Sequence, residues 1–142
     1  MNKIIFLDID GVLNDAPTIL GTGDDLPTME HLECLKQIVD ATGAEIVLSS
    51  SWRLYKRYTK DVNVALKKVN LHLIDVTEEL RERDEEIREW LGRHPEVEQY
   101  LILDDEDVFT EELKEHHILT SFYEGLLTKH VEKSIEILNK TV

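Results

Sequence analysis

Two aspartates separated by one residue follow a short hydrophobic run near the start of the chain. Residues 4–7 are all apolar, and Asp8 and Asp10 come directly after them. Two later hydrophobic runs also end in polar clusters, three serines at 49–51 and two aspartates at 104–105. Carboxylates can bind a hard divalent cation. The three clusters can act together only if the fold brings them to one place.

The hydrophobic pattern predicts alternating strands and helices. Short apolar runs bounded by turn residues are typical of strands, whereas apolar residues at a spacing of three or four are typical of helices. The predicted strands cover 3–10, 45–48, 71–76, 100–103 and 118–120. The predicted helices start at Thr28 with a stop at Gly43, and then cover 52–69, 84–91 and 128–138. Pro and Gly residues cluster in 14–27, which predicts a loop there.

This alternation predicts an α/β fold with a parallel sheet of about five strands and helices on both faces. The 142 residues suit one domain, 1–142, since domains commonly have about 100 to 150 residues. The carboxyl ends of parallel strands share one edge of the sheet, where ligands bind. We therefore expect the three polar clusters to meet at that edge.

Several aspartates would lie close together at this edge. Because side chains alternate along a strand, Asp8 and Asp10 are predicted to lie on the same side, with Asp104 nearby. Like charges so placed are costly unless a cation neutralises them or they share a proton. Magnesium with carboxylate ligands is the usual solution. The alternative is that the acids at 104–107 only cap helices or solvate the end of a strand.

Three segments resemble the motifs of the haloacid dehalogenase (HAD) superfamily. Residues 5–13 (IFLDIDGVL) are similar to its first motif, a hydrophobic strand ending in Asp-x-Asp. Residues 46–49 (IVLS) are similar to the second motif, and 101–105 (LILDD) to the fourth. The resemblance implies a Rossmann-like, HAD-like fold and a phosphatase that uses Mg²⁺.

The resemblance also implies roles for the acids. Asp8 would be the nucleophile that forms an aspartyl-phosphate, and Asp10 would protonate the leaving oxygen and later activate water. Asp8, the main-chain carbonyl of Asp10, and Asp104 would bind Mg²⁺. Asp105 would be a further ligand or would support the others.

Phosphate binding is assigned by the same resemblance. Ser49 would hold the phosphoryl group through its hydroxyl, helped by main-chain N–H groups near Ser50. The third motif of the superfamily supplies a lysine, but no lysine occurs between residues 68 and 114. Arg83 is the best replacement, unless it only balances the surrounding glutamates. The other candidates are Arg81, Lys67 and Lys68.

Four short strings resemble a narrower branch, the cap-less HAD domain of Swiss Army Knife RNA repair proteins. This branch would remove phosphate from nucleic-acid ends. The points where relatives carry a cap domain, after Leu13 and before Arg83, leave no room for one. An open site admits nucleotides, nucleic-acid ends or other phosphomonoesters. The similar strings are 47–53, 86–91, 103–105 and 125–128.

The charge distribution bears on the substrate. With 30 acidic residues against 16 Lys and Arg, the net charge of −14 argues against broad nonspecific binding to nucleic acids. Residues 75–115 hold 17 of the acids, whereas 52–68 hold six bases and one acid. Aromatic residues alternate with these bases, so stacking and phosphate contact are both available there. The alternative is an amphipathic helix with core aromatics and a solvated basic face. The candidate substrate-binding residues are Arg53, Lys56 and Arg57, and the aromatic residues are Trp52, Tyr55 and Tyr58.

The single cysteine and the N-terminal residues predict the cellular compartment of the protein. Cys34 cannot form an internal disulfide and is expected to lie in the core, so a reducing cytoplasm fits best. Asp8 ends the only apolar run near the start, so we expect neither a signal peptide nor a membrane partner.

The leading hypothesis is thus a magnesium-dependent phosphatase with an open site. One alternative is a catalytically weak phosphate-binding or interaction module. Another is a signalling receiver domain, which carries its phosphorylated aspartate at the end of the third strand. Here that strand ends in Val76-Thr77, which argues against a receiver.

Overall fold

The computed structural model describes residues 2–141 and contains one parallel sheet between two layers of helices. The strands are β1 (Lys3–Leu7), β2 (Glu45–Leu48), β3 (Leu73–Val76), β4 (Gln99–Asp104) and β5 (His117–Leu119). The helices are α1 (Ala16–Thr22), α2 (Met29–Thr42), α3 (Lys56–Lys67), α4 (Arg83–Arg93), α5 (Glu111–Lys114) and α6 (Thr128–Asn139). A 3₁₀ turn spans Ser51–Leu54.

The central strand of the sheet is β1, in the order β3-β2-β1-β4-β5. All neighbouring strands are parallel, and Leu7 at the end of β1 pairs with Leu48 of β2 and Leu103 of β4. The residues that follow these three leucines therefore lie side by side at the carboxyl edge of the sheet. This register brings all three polar clusters of the sequence to one edge of the sheet.

The two faces of the sheet are covered unequally. Ile5 and Leu7 belong to a large core with buried side chains of α2, α3 and α6. Ile4 and Phe6 point to the opposite face and pack in a smaller core with α4 and α5, including Trp90. The alternation of apolar side chains along β1 thus buries both faces, as a central parallel strand requires. The predicted α/β fold with helices on both faces is confirmed, and no cap domain is present in residues 2–141.

One prediction is wrong: the segment 14–27 is not a plain loop, because it contains α1. Asp15 caps this helix by accepting a hydrogen bond from the Thr18 main-chain N–H at 2.8 Å. Pro17 lies in the first turn, and Gly23 ends the helix in the left-handed conformation. The turn-forming residues here are start and stop signals of a short helix. No residue of α1 is buried, so no apolar periodicity indicated it.

Smaller differences have similar causes. The helix predicted over 52–69 is interrupted at Tyr55, whose extended backbone separates the 3₁₀ turn from α3. The single-turn helix α5 was not predicted, because it is too short to show a period. The predicted strand at 118–120 lies one residue earlier, and that at 71–76 starts at Leu73.

Two further observations bear on the class of protein. No helix within residues 2–141 is long and apolar enough to cross a membrane. Cys34 is buried in the larger core, as expected, and burial raises the pKa of its thiol. A protonated thiol in the core is a poor nucleophile.

Candidate active site

Three carboxylates form a cluster where β1 and β4 end. Asp8, Asp104 and Asp105 each offer an oxygen atom, and these atoms all lie within 4.8 Å of one another. Asp8 and Asp104 are buried, with exposed fractions of 5% and 1%. The parallel register explains this arrangement, since Asp8 follows β1 directly while Asp104 is the last residue of β4.

Burial and mutual repulsion both act on this acid cluster. Burial raises the pKa of Asp8 well above its ordinary value, and the Asp104 charge raises it further, whereas Arg83 acts in the opposite direction. Burial likewise raises the pKa of Asp104, against the effect of Arg83. The pKa of Asp105 is raised by burial and by Asp104. The cluster therefore favours binding of a cation or a proton.

The donor set fits Mg²⁺. Magnesium prefers oxygen ligands, and three carboxylates converge here from the ends of two strands. Gly11 closes the cluster on one side, because a Cβ atom at this position would collide with the Asp105 carboxylate. The φ of Gly11 is 78°, and its carbonyl accepts a hydrogen bond from Thr120 Oγ1 at 2.6 Å. A larger residue would both strain this turn and displace a carboxylate.

Ser49 presents a buried hydroxyl group beside the acids. Its main-chain N–H donates to the Leu7 carbonyl at 2.8 Å, which keeps it at the edge of the sheet. Among the described residues, Ser49 Oγ is buried without a hydrogen-bond partner. Such a group costs about 1–3 kcal/mol unless a ligand or water satisfies it. Ser50 differs, since its Oγ accepts from the Trp52 N–H at 3.2 Å and so begins the 3₁₀ turn.

Arg83 connects the acids to the serine. From the first turn of α4, its Nη1 donates to Asp104 Oδ2 at 2.5 Å and to the Ser49 carbonyl at 2.9 Å. The same atom lies 3.5 Å from Asp8 Oδ1. Of the four basic candidates from the sequence, Arg83 is the one placed at the acid cluster. Arg81, Lys67 and Lys68 have exposed side chains.

Glu86 holds two arginines together and was not singled out from the sequence. Its Oε2 accepts from Arg53 Nη2 at 2.5 Å, and its Oε1 lies 3.5 Å from Arg83 Nε. Arg53 also donates to the Ser50 carbonyl at 2.6 Å. The spacing of Arg83 and Glu86 on one helix face was the only signal for this contact. These three side chains line a cavity of about 610 Å³ next to the acid cluster.

The Asp10 side chain is hydrogen-bonded to residues outside the acid cluster. Its Oδ2 accepts from Trp52 Nε1 at 3.1 Å, and its Oδ1 accepts from Asn14 Nδ2 at 2.9 Å. Strand alternation does not extend to this residue, because β1 ends at Leu7 and the chain turns at Ile9. The strand predicted over 3–10 is therefore too long, and strand alternation does not describe how Asp8 and Asp10 are placed. The Asp10 side chain is not among the carboxylates that converge on the candidate metal position.

The basic segment 52–68 divides into a buried and an exposed part. Trp52 is 4% exposed and packs against Tyr58 with ring centroids 4.7 Å apart, so the Trp52 ring is not available to stack on a ligand. Tyr55 is 59% exposed. Lys56 and Arg57 are also exposed, at the start of α3. The aromatic residues thus fit the core alternative in part. Lys56 and Arg57 are accessible, whereas the Arg53 side chain is 6% exposed and paired with Glu86.

One histidine has polar partners that the sequence did not indicate. His31 is buried, with Nε2 2.7 Å from Asp15 Oδ2 and Nδ1 2.7 Å from the Leu126 carbonyl oxygen. Burial raises the pKa of Asp15, but hydrogen bonds from His31 and Thr18 outweigh this and lower it overall. Both ring nitrogens of His31 thus face acceptor oxygens. This contact ties α1 to α2 and to the loop before α6.

Comparison with known proteins gives one match. A family model described as the HAD domain in Swiss Army Knife RNA repair proteins matches residues 4–131. The matched range runs from β1 into α6 and includes every residue of the candidate site. Searches of curated proteins and of solved structures gave no match.

Proposed function

The chain belongs to the family of HAD domains found in Swiss Army Knife RNA repair proteins, and on that premise we propose that it is a magnesium-dependent phosphomonoester hydrolase. One observation carries this proposal. A buried carboxylate, Asp8, lies in an acid cluster that favours a cation, beside a buried hydroxyl group on Ser49 that has no partner among the described residues. A phosphoryl group bound there would satisfy that hydroxyl group.

Asp8 is the nucleophile in this proposal. Its carboxylate oxygen attacks phosphorus, the bond from phosphorus to the ester oxygen breaks, and the leaving oxygen takes a proton from Asp10. Water then attacks the aspartyl-phosphate, and Asp10 takes a proton from that water while the bond to Asp8 breaks. Inorganic phosphate leaves, and both carboxyl groups return to their starting states.

The remaining polar groups bind and orient the phosphoryl group. Ser49 Oγ and main-chain N–H groups near Ser50 donate to its oxygens, and Arg83 supplies positive charge. Asp8, Asp104 and Asp105 would hold Mg²⁺, with the main-chain carbonyl of Asp10. When bound, Mg²⁺ lowers the repulsion between the anionic nucleophile and the phosphate.

Phosphorylated nucleic-acid ends or nucleotides are the proposed substrates. The site carries no cap domain within residues 2–141, and an uncovered sheet edge admits a long molecule. The exposed side chains of Lys56 and Arg57 lie one turn beyond the serine cluster, and the adjoining part of α3 forms a groove. The family description names RNA repair proteins, which fits this substrate class. We place the activity in the cytoplasm, because Cys34 is a free cysteine.

One observation favours a second candidate function, a phosphate-binding module without turnover. The Arg83 guanidinium contacts both Asp104 and Asp8, so it already supplies positive charge to the acid cluster. A tight contact of this kind could compete with Mg²⁺ for the same carboxylates. Catalysis would require Asp8 and Asp104 to hold Mg²⁺, whereas in a simple binding module they would stay paired with Arg83.

Release of phosphate from 4-nitrophenyl phosphate with added Mg²⁺ tests the proposed function. We expect turnover that chelation with EDTA abolishes, and a loss of at least about 10³-fold in Asp8→Asn, since the nucleophile is removed. Asp107→Asn is the matched control, because Asp107 is an exposed acid outside the acid cluster. Phosphate binding without turnover would favour the second candidate, and full activity in Asp8→Asn would overturn the mechanism.

A further inference from the structure

The Asp10 carboxylate is held at both of its oxygens by buried side chains. Trp52 Nε1 donates to Oδ2 at 3.1 Å, and Asn14 Nδ2 donates to Oδ1 at 2.9 Å. Trp52 is 4% exposed and Asn14 is fully buried. Two donors from different parts of the chain fix the torsion angle of the carboxylate more firmly than one donor would.

The orientation of Asn14 is itself determined by its partners. Its Oδ1 accepts from the Gly11 main-chain N–H at 3.0 Å, so Nδ2 must be the atom that faces Asp10. The same Nδ2 donates its other hydrogen to the Asp25 carbonyl at 2.9 Å. The amide group therefore has no freedom to exchange its oxygen and nitrogen atoms.

Trp52 is placed by the same turn that follows the serine cluster. The Trp52 main-chain N–H is capped by Ser50 Oγ, and its indole ring packs against Tyr58. The indole has only one polar hydrogen, and that hydrogen points at Asp10. A short turn thus connects the phosphate-binding end of β2 to the orientation of Asp10.

We propose that Trp52 is a positioning residue that acts through Asp10, with Asn14 as its counterpart on the other oxygen. This inference rests on the proposed function, in which Asp10 gives a proton to the leaving oxygen. A carboxylate has about four acceptor positions, so two N–H donors leave one position on each oxygen for a proton. Trp52 thereby directs the proton of Asp10 toward the leaving group and does not touch the substrate.

A comparison of two esters separates this role from a structural one. 4-Nitrophenolate leaves readily without a proton, whereas the alkoxide of benzyl phosphate is a poor leaving group and depends on a general acid. In Trp52→Phe we expect kcat for benzyl phosphate to fall about 30-fold or more while KM stays within about twofold. For 4-nitrophenyl phosphate, kcat/KM is expected to fall less than about threefold.

The chain offers a matched control in its second tryptophan. Trp90 is also buried, and its Nε1 donates to the carboxylate of Asp75 at 2.9 Å on the opposite face of the sheet. Trp90→Phe removes the same kind of hydrogen bond, so it is expected to change both esters equally or not at all. Thermal unfolding of each variant shows how much stability the substitution removes.

A second form of the experiment keeps the shape of residue 52. Site-specific replacement of Trp52 by 3-benzothienylalanine exchanges the N–H for sulfur and preserves the two-ring side chain, so packing on Tyr58 is retained. The same selective loss on benzyl phosphate is expected. This variant decides the matter if Trp52→Phe does not fold.

The outcomes distinguish this inference from the proposed function. A wild-type protein that hydrolyses both esters, with an unchanged ratio between them after the loss of the indole N–H, would overturn the role of Trp52 alone. An equal loss of kcat/KM on both esters would also overturn it, because kcat/KM does not include the later hydrolysis of the aspartyl-phosphate, which both esters share. A wild-type protein with no magnesium-dependent hydrolysis of either ester would overturn both proposals.

Discussion

The acid cluster concentrates negative charge in a buried position, at a cost in stability. Asp8 is buried beside Asp104 and Asp105, and the pKa of each of these groups is raised. Arg83 offsets part of the repulsion through its contact with Asp104. Functional residues often carry such a cost, because a site that binds a charged ligand must tolerate unbalanced charge before binding. The cost predicts how a substitution at Asp8 affects stability.

Asp8→Asn is expected to stabilise the metal-free protein at neutral pH. Burial, and then Asp104, raise the pKa of Asp8 above its ordinary value of 3.8 in the folded state. Folding therefore favours protonated Asp8, and the contribution of Asp8 to stability is lost as pH rises from about 3.8 through the raised pKa. Removing this charge is expected to increase the free energy of unfolding by about 1–2 kcal/mol at pH 7 and by almost nothing at pH 3.

Urea unfolding in the presence of EDTA measures this difference at both pH values. Asp107→Asn, at an exposed acid, is the control for a general effect of removing one negative charge. Addition of Mg²⁺ is expected to stabilise the wild type more than Asp8→Asn, which reverses the order of the two. An Asp8→Asn protein that is less stable than the wild type by the same amount at pH 3 and pH 7 would contradict this account of the acid cluster.

The positions of some site residues could be predicted from the sequence, and those of others could not. Asp8, Ser49 and Asp104 lie at strand ends, and the parallel register that aligns those ends follows from the alternation of strands and helices. Their proximity was therefore predictable. The contacts of Trp52 and Glu86 were not, because they depend on side-chain torsion angles and on a turn whose geometry has no periodic signature.

Strands and helices with a long, regular apolar spacing were predicted well from the sequence, whereas short helices that depend on capping residues were not. The strands and the helices α2, α4 and α6 have buried faces that repeat at a regular spacing. In contrast, α1 buries no residue and depends on the Asp15 cap and on its contact with His31. The segment after β2 contains a 3₁₀ turn followed by α3. A search for a single helical period cannot show where the turn ends and the helix begins. Both misjudged segments lie at the edge of the sheet that carries the site.

The position of these two segments explains why they escape pattern-based prediction. Segments at the carboxyl edge are shaped by hydrogen bonds to site residues, as Trp52 and Asn14 are by Asp10. α1 buries no residue, and the break at Tyr55 falls between buried residues of the turn and of α3, so the hydrophobic pattern shows neither feature. Local rules fail most often at functional sites for this reason.

The net charge of −14 is unevenly distributed over the molecule, and this distribution affects which substrates can bind. The acids concentrate in 75–115, whereas Lys56 and Arg57 are exposed next to the candidate site. A long anion would be repelled by most of the surface and attracted at this basic segment. The distribution therefore favours recognition of one phosphorylated end over nonspecific binding along a nucleic acid.

The double substitution Lys56→Glu and Arg57→Glu tests this interpretation. We expect KM for a phosphorylated oligonucleotide to rise about tenfold or more at low salt, because two phosphate contacts become repulsive. KM for 4-nitrophenyl phosphate is expected to change less than about twofold, since that ester does not extend to α3. Steady-state kinetics at two salt concentrations measures both values.

A matched control has the same change in net charge elsewhere. Lys133→Glu together with Lys140→Glu alters two exposed bases, one in the middle of α6 and one directly after it. This pair should leave both KM values near those of the wild type. If the two double substitutions raised KM for the oligonucleotide equally, only the total charge would matter and the basic segment would have no particular role.

In the proposed mechanism, Asp8 carries the phosphoryl group during turnover. The most direct test of this step is mass spectrometry of protein quenched in acid during hydrolysis of 4-nitrophenyl phosphate with Mg²⁺, followed by mapping of the modified peptide. We expect the mass of one phosphoryl group on Asp8, sensitive to hydroxylamine and absent from Asp8→Asn. Turnover without any phosphorylated Asp8, or with the phosphoryl group on another residue, would contradict the mechanism.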